Sequence, residues 1–90
     1  MIEFDPVLYV SPGLKDQKVE ICEKLMCRET VTGIYIIYLN LSTGLPEAIP
    51  SLQIGQRYYE EHRTHVVGLV ESYELTLNYL ANAARERYGL

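Results

Sequence analysis

An apolar segment that leads directly into an amphipathic helical pattern constrains the fold more than any other feature of the sequence. Residues 65–70 read His-Val-Val-Gly-Leu-Val, a short run typical of a buried strand. Ser72 follows as a candidate N-cap. Apolar residues then recur at helical spacing and predict a core-facing stripe, formed by Tyr73, Leu77, Leu80, Ala81, Ala84 and Tyr88. A helix over residues 72–88 is expected, with Gly89 at its end.

A second apolar run at residues 34–41 shows no alternation of polar and apolar positions, which predicts a strand covered on both faces. A helix over residues 51–62, with Ser51 as its N-cap, would connect this strand to residues 66–70. Two strands joined by a helix are expected to be parallel neighbours. A competing interpretation makes residues 52–59 a strand that forms a hairpin with residues 34–41.

The first third of the chain predicts one short strand and one helix. Residues 7–10 are β-branched and aromatic, and they lie between proline and glycine signals. Helical spacing then covers residues 14–29, with apolar positions at Val19, Cys22, Leu25 and Met26. We therefore predict a single α/β domain over residues 1–90, based on a βαβ unit. It would contain two or three strands with a parallel central pair, and three helices at 14–29, 51–62 and 72–88.

The charge of the chain argues against nucleic acid and anionic membranes as partners. The net charge is −4, and neither half carries a basic stripe. The longest apolar run is far shorter than the ~20 residues that a membrane span needs. The first residues are acidic, whereas a signal peptide would be basic. A cytoplasmic protein is expected, with Cys22 and Cys27 as free thiols.

No catalytic, cofactor or metal site is predicted. His62 and His65 are three residues apart, but they fall on different predicted elements, which removes a shared ligand face. The sequence contains no nucleotide-binding glycine pattern and no nucleophile motif. The sequence leaves enzymatic activity undecided and favours a non-enzymatic role.

Two groups of residues remain as candidates for binding. Tyr58, Tyr59, His62 and Tyr73 are interaction candidates, because tyrosine suits interfaces and the chain holds eight of them. Ser42, Thr43 and Ser72 follow the two predicted strands. In open α/β sheets, ligands bind beyond the carboxyl ends of the strands, so these three residues would form a ligand edge.

The chain resembles a family of small uncharacterised bacterial (Firmicutes-like) α/β proteins of about this length. The matching segments span most of the chain: Leu8-Tyr9-Val10-Ser11, Gly33-Ile34-Tyr35-Ile36-Ile37, Gln56-Arg57-Tyr58-Tyr59, Val66-Val67-Gly68 and Ser72-Tyr73-Glu74. The resemblance implies an intracellular α/β module with this order of elements and gives weight to Tyr58, Tyr59 and Gly68. It implies no substrate and no catalytic residue.

These observations predict a non-enzymatic module that binds proteins or associates with itself. Two central strands make a marginal sheet, so a second copy of the chain is expected to extend it, and a homodimer is the predicted state. The alternative is a small-ligand binder or minor enzyme with its site at the carboxyl ends of the strands.

Overall fold

A four-stranded mixed sheet organises the computed structural model, which describes residues 2–55 and 63–89. The strands are β1 (Ile2–Val10), β2 (Tyr35–Asn40), β3 (Leu45–Pro50) and β4 (Thr64–Val70), and they lie in the order β1-β4-β2-β3. Two α-helices accompany them in the described residues, α1 (Lys18–Met26) and α2 (Tyr73–Tyr88). Short 3-10 segments cover Pro12–Gln17 and Ser51–Gly55. The α/β class is confirmed.

The predicted parallel pairing of the two central strands is wrong. β2 and β4 are neighbours but run antiparallel, with Tyr35 opposite Val70 and Leu39 opposite His65. The chain reverses after β2 and adds β3 as an antiparallel partner, so β2 and β4 are not joined by a single helical crossover. The strand parallel to β4 is β1.

The strand β3 was missed because it contains Pro46 and Pro50, which break most strand patterns. Proline is tolerated on an edge strand when its nitrogen faces away from the neighbouring strand. The amide of Ser51, just beyond β3, donates to the carbonyl of Ile34 at 2.9 Å. Backbone groups alternate in direction along a strand, so the backbone nitrogens of residues 46, 48 and 50 point away from β2. A proline at such a position removes no hydrogen bond from the sheet.

The first predicted helix is confirmed in part, and the second lies mostly outside the described residues. The segment predicted as helix 14–29 starts as the 3-10 turn Pro12–Gln17, and α1 ends at Met26. The segment predicted as helix 51–62 begins with a 3-10 turn whose described part ends at Gly55, and its remainder lies outside the described residues. The hairpin partner of β2 is β3, and residues 52–55 belong to the 3-10 segment. The competing strand is therefore wrong over residues 52–55, and its remaining residues, 56–59, lie outside the described part of the chain.

The last helix has the predicted ends but a different buried face. The Ser72 hydroxyl accepts a hydrogen bond from the amide of Leu75 at 3.2 Å, and Gly89 adopts φ 69° as the C-cap. Tyr73 is 61% exposed and Leu77 is 48% exposed, whereas Thr76 is buried. The helix is therefore rotated away from the predicted stripe, and part of its apolar face meets solvent.

Both faces of the sheet are covered, as the apolar run in β2 predicts. Ile36 belongs to the core cluster that includes Ile21 and Leu25 of α1. Ile37 points to the opposite face and is also fully buried. That face contacts α2, where the ring of Tyr35 lies 5.9 Å from the ring of Tyr73. The strands thus lie between two helical layers.

Gly68 marks a close approach between β4 and β2, next to a register shift at Ile37 and Tyr38. A Cβ placed on Gly68 would lie 3.3 Å from Cβ and Cδ1 of Ile37. Because Ile37 is fully buried, it has little room to move aside.

We expect Gly68→Ala to lower the free energy of unfolding by about 1 kcal/mol. The added methyl group overpacks the core, and this cost exceeds the stabilisation that alanine gives by lowering the entropy of the unfolded chain. Urea unfolding monitored by circular dichroism measures the change. Gly33→Ala serves as a comparison in which any loss of stability has another cause. A Cβ on Gly33 would meet no atom within 4 Å, but the backbone there has φ 81°, which disfavours alanine. A Gly68→Ala protein as stable as the wild type would show that Ile37 is not tightly held.

Candidate functional site

A cluster of four charged side chains joins β1 to the start of β4. The carboxylate of Glu3 accepts two hydrogen bonds from Arg63, from Nε at 2.8 Å and from Nη2 at 3.1 Å. The same carboxylate lies 3.0 Å from Nδ1 of His65, and Asp5 lies 2.9 Å from its Nε2. We call Glu3, Asp5, Arg63 and His65 the β1–β4 cluster.

The local fold explains why these residues meet. Glu3 lies opposite His65 in the parallel β1–β4 ladder, so the two side chains project from the same face. The ladder then shifts register between Phe4 and Tyr9. In that irregular segment, the amide of Val7 donates to the Asp5 carboxylate at 2.8 Å, and this bond fixes Asp5 towards the imidazole.

The geometry requires a protonated imidazole at His65. Ionised carboxylates only accept hydrogen bonds, so each ring nitrogen must carry a proton to bond its carboxylate. The hydrogen bond to Asp5, followed by that to Glu3, raises the pKa of His65 above 6.5 against the opposing effect of burial. The hydrogen bond from Arg63, with that from His65, lowers the pKa of Glu3, and the His65 bond lowers the pKa of Asp5.

This arrangement stabilises the pairing of two strands and offers little for catalysis. A general base needs a free nitrogen lone pair, and both ring nitrogens of His65 are engaged. A metal ligand needs the same lone pair. No group of three or more candidate ligand side chains that could hold a metal occurs among the described residues. The β1–β4 cluster thus holds β1 beside β4 through hydrogen-bonded ion pairs.

The predicted ligand edge does not assemble. Ser42 and Thr43 lie in the β2–β3 turn, where their amides bond the Asn40 side chain at 2.9 and 3.3 Å. Ser72 caps α2 beyond the carboxyl end of β4. Because β2 and β4 are antiparallel, these two ends lie at opposite sides of the sheet. The shared edge depended on parallel strands.

The four interaction candidates are only partly described. Tyr58, Tyr59 and His62 lie outside the described residues. Tyr73 lies in the first turn of α2, and its ring contacts Tyr35 while much of it faces solvent. The sequence interpretation missed Glu3 and Asp5. Their alternation with apolar residues in Ile2-Glu3-Phe4-Asp5 is the strand signal that would have extended β1 towards the start of the chain.

An open groove runs between α2 and the β2–β3 turn, with a volume of about 350 Å³. We call it the α2 groove. Its lining residues are Leu39, Gly44, Leu45, Pro46, Val67, Tyr79, Ala83 and Glu86. The ring of Tyr79 lies 5.1 Å from that of Tyr9. Burial is the main factor that raises the pKa of Tyr79, and the charges of Asp5 and Glu86 add to it.

The outer side of α2 forms a second surface. Tyr73, Leu77 and Ala81 are exposed, and the half-buried Leu80 and Ala84 lie beside them. In a helix, these five positions fall on one side. We call them the α2 stripe. The α2 stripe therefore leaves apolar side chains of one helix side in contact with solvent.

Comparisons with protein-family models, with curated proteins and with solved structures return no match to this chain. The family resemblance described above therefore stays a prediction. Among the described residues, no helix has the length and apolar character required to cross a bilayer.

The β1–β4 cluster makes stability depend on pH in two directions. A raised histidine pKa stabilises the fold below 6.5, and this contribution is lost as the pH rises through the folded-state pKa. The lowered pKa values of Glu3 and Asp5 stabilise the fold above pH 4.5 and pH 3.8, respectively, and this contribution is lost on acidification. The cluster thus contributes most to stability between pH 4.5 and pH 6.5.

We expect the free energy of unfolding to fall as the pH rises above 6.5, and His65→Gln to remove that fall. Urea unfolding across a pH series measures both slopes. His62→Gln is the matched control, since it removes the other histidine of the sequence. An unchanged alkaline slope in His65→Gln would contradict the assignment of the charge to His65.

Proposed function

We propose that this protein is a non-enzymatic interaction module that acts by self-association, as a homodimer joined along α2. The exposed α2 stripe is the observation that carries the proposal. The stripe leaves Tyr73 61% and Leu77 48% exposed on a surface helix, and pairing with a second copy would remove that apolar area from water.

The charges beside the α2 stripe favour an identical partner. Glu74 and Arg85 are both exposed, and they lie about three helical turns apart on the same side of α2. In an antiparallel, two-fold contact, the residues at one end of a helix meet those at the other end of its mate. Glu74 would then face Arg85 of the partner subunit, and the pair would occur twice. Ala81, near the middle, is small enough for close approach.

Pairing along α2 is favoured over extension of the sheet. The outward positions of β3 are 46, 48 and 50, and only Ala48 among them has an amide hydrogen. On the other edge, Pro6 lacks a donor and the Val7 amide is occupied by Asp5. Edges of this kind resist the addition of another strand. The sheet also reaches four strands within one chain, so it needs no second copy for completion.

The other parts of the proposal rest on separate observations. A binding role rather than an enzymatic one is supported by His65, whose two ring nitrogens are both engaged. A cytoplasmic setting is supported by Cys22 and Cys27, both free thiols, because a reducing compartment keeps thiols in this form.

Leu77→Glu tests the surface directly. We expect the dissociation constant of the dimer to rise about tenfold or more, because each interface then buries a charge where it buried a leucine. Sedimentation equilibrium or light scattering coupled to gel filtration measures the change. Val19→Glu on α1 is the matched control, since Val19 is similarly exposed at 68%. A wild-type protein that stays monomeric at high concentration would overturn the proposal.

Charge reversal tests the antiparallel geometry. We expect Glu74→Arg and Arg85→Glu each to weaken the dimer about threefold or more, since each places like charges opposite one another. The double variant restores complementarity and should return the dissociation constant close to the wild-type value. Additive weakening in the double variant would show that Glu74 and Arg85 do not meet across a two-fold axis.

A further inference from the structure

We propose that the α2 groove binds a small alkylammonium ligand, a molecule with a cationic amine head and an apolar tail. The inference is independent of the homodimer. It assigns a location and a ligand class to a second function of the chain.

The floor of the α2 groove suits an apolar tail. Leu39 of β2 and Val67 of β4 lie on the sheet side, and Ala83 contributes from the helix. Leu45 and Pro46 line the groove next to the β2–β3 turn. The groove is open to solvent, and its volume of about 350 Å³ lies at the lower end of the range of sites for small molecules, which combine an apolar lining with few polar groups.

The polar groups at the rim favour a cation. Glu86 is exposed at the groove, and its carboxylate is an acceptor for ammonium hydrogens. Tyr79 presents an aromatic ring beside it, paired with that of Tyr9. Tyrosine rings attract ammonium groups through their negative faces. A carboxylate and an aromatic ring next to an apolar floor match the two parts of an alkylammonium ion.

Two cations on β4 and just before it are already paired with carboxylates. His65 lies opposite Leu39 and is bonded to Glu3 and Asp5, and Arg63 is bonded to Glu3. The β1–β4 cluster therefore carries two positive and two negative charges and is balanced. Among the described residues that line the groove, Glu86 is the only charged one, and its carboxylate would repel a carboxylate ligand of the same shape.

The α2 groove and the α2 stripe occupy different sides of the helix. With about 100° of rotation per residue, Tyr79, Ala83 and Glu86 lie on the side away from Leu77 and Ala81. A ligand in the groove therefore leaves the stripe uncovered. The monomeric Leu77→Glu variant should bind the ligand as the wild type does, so failure of one proposal is distinguishable from failure of the other.

Titration with n-hexylammonium, 1-hexanol and hexanoate, followed by amide NMR spectra of the full chain, tests the inference. These probes share one tail and differ in the charge of the head. We expect n-hexylammonium to shift the amides of Leu39, Gly44, Val67 and Ala83, and to bind about fivefold or more tightly than hexanol. Hexanoate should bind more weakly than hexanol.

Two variants assign the binding to the α2 groove. Glu86→Gln keeps the shape and should remove the preference for n-hexylammonium over hexanol, whereas Glu20→Gln on α1 should leave it unchanged. Ala83→Phe fills the groove and should abolish binding of both probes, with folding checked by circular dichroism. No shift in the groove amides, equal affinity for n-hexylammonium and hexanol, or an unaffected Glu86→Gln protein would overturn the inference.

Discussion

The burial of β4 between two strands and two helical layers is the constraint on which the rest of the structure depends. Val66, Leu69 and Val70 are fully buried, and β4 has β1 on one side and β2 on the other. Each buried aliphatic side chain contributes about 1.5–3 kcal/mol relative to an exposed one. A small domain has few other sources of stability, so the register of β4 determines where every functional group lies.

The sequence was informative where hydrophobic burial alone decides the structure. The apolar runs at residues 34–41 and 66–70 became β2 and β4, and Ser72 became the cap of α2, because burial and capping are local signals. The direction of pairing depends instead on the connection between strands. Pro46 and Pro50 made residues 45–50 look unlike a strand. Without β3, a helical crossover between β2 and β4 was the expected connection. Local patterns indicate that strands exist but leave their relative direction open.

The candidate site was harder to predict than the fold because its members are distant in sequence. Glu3 and His65 have no local pattern that relates them, and their contact exists only because β1 is parallel to β4. The ligand edge at Ser42, Thr43 and Ser72 failed for the same reason, since it depended on the assumed direction of β2. The rotation of α2 also changed the role of Tyr73 and Leu77: both match a core pattern, yet both face solvent while Thr76 is buried. Their exposure became visible only when the position of α2 was known.

The separation along the chain between the outer strand β1 and its neighbour has a consequence for biosynthesis. Glu3 and His65 are 62 positions apart, and β4 is the last strand among the described residues. β1 is therefore synthesised well before β4 and cannot pair with it until residues 64–70 have followed. Contacts of such long range are formed late and slowly, because a large loop must close first. Because β4 is the strand that joins β1 to β2, the sheet is completed only after β4 has been made.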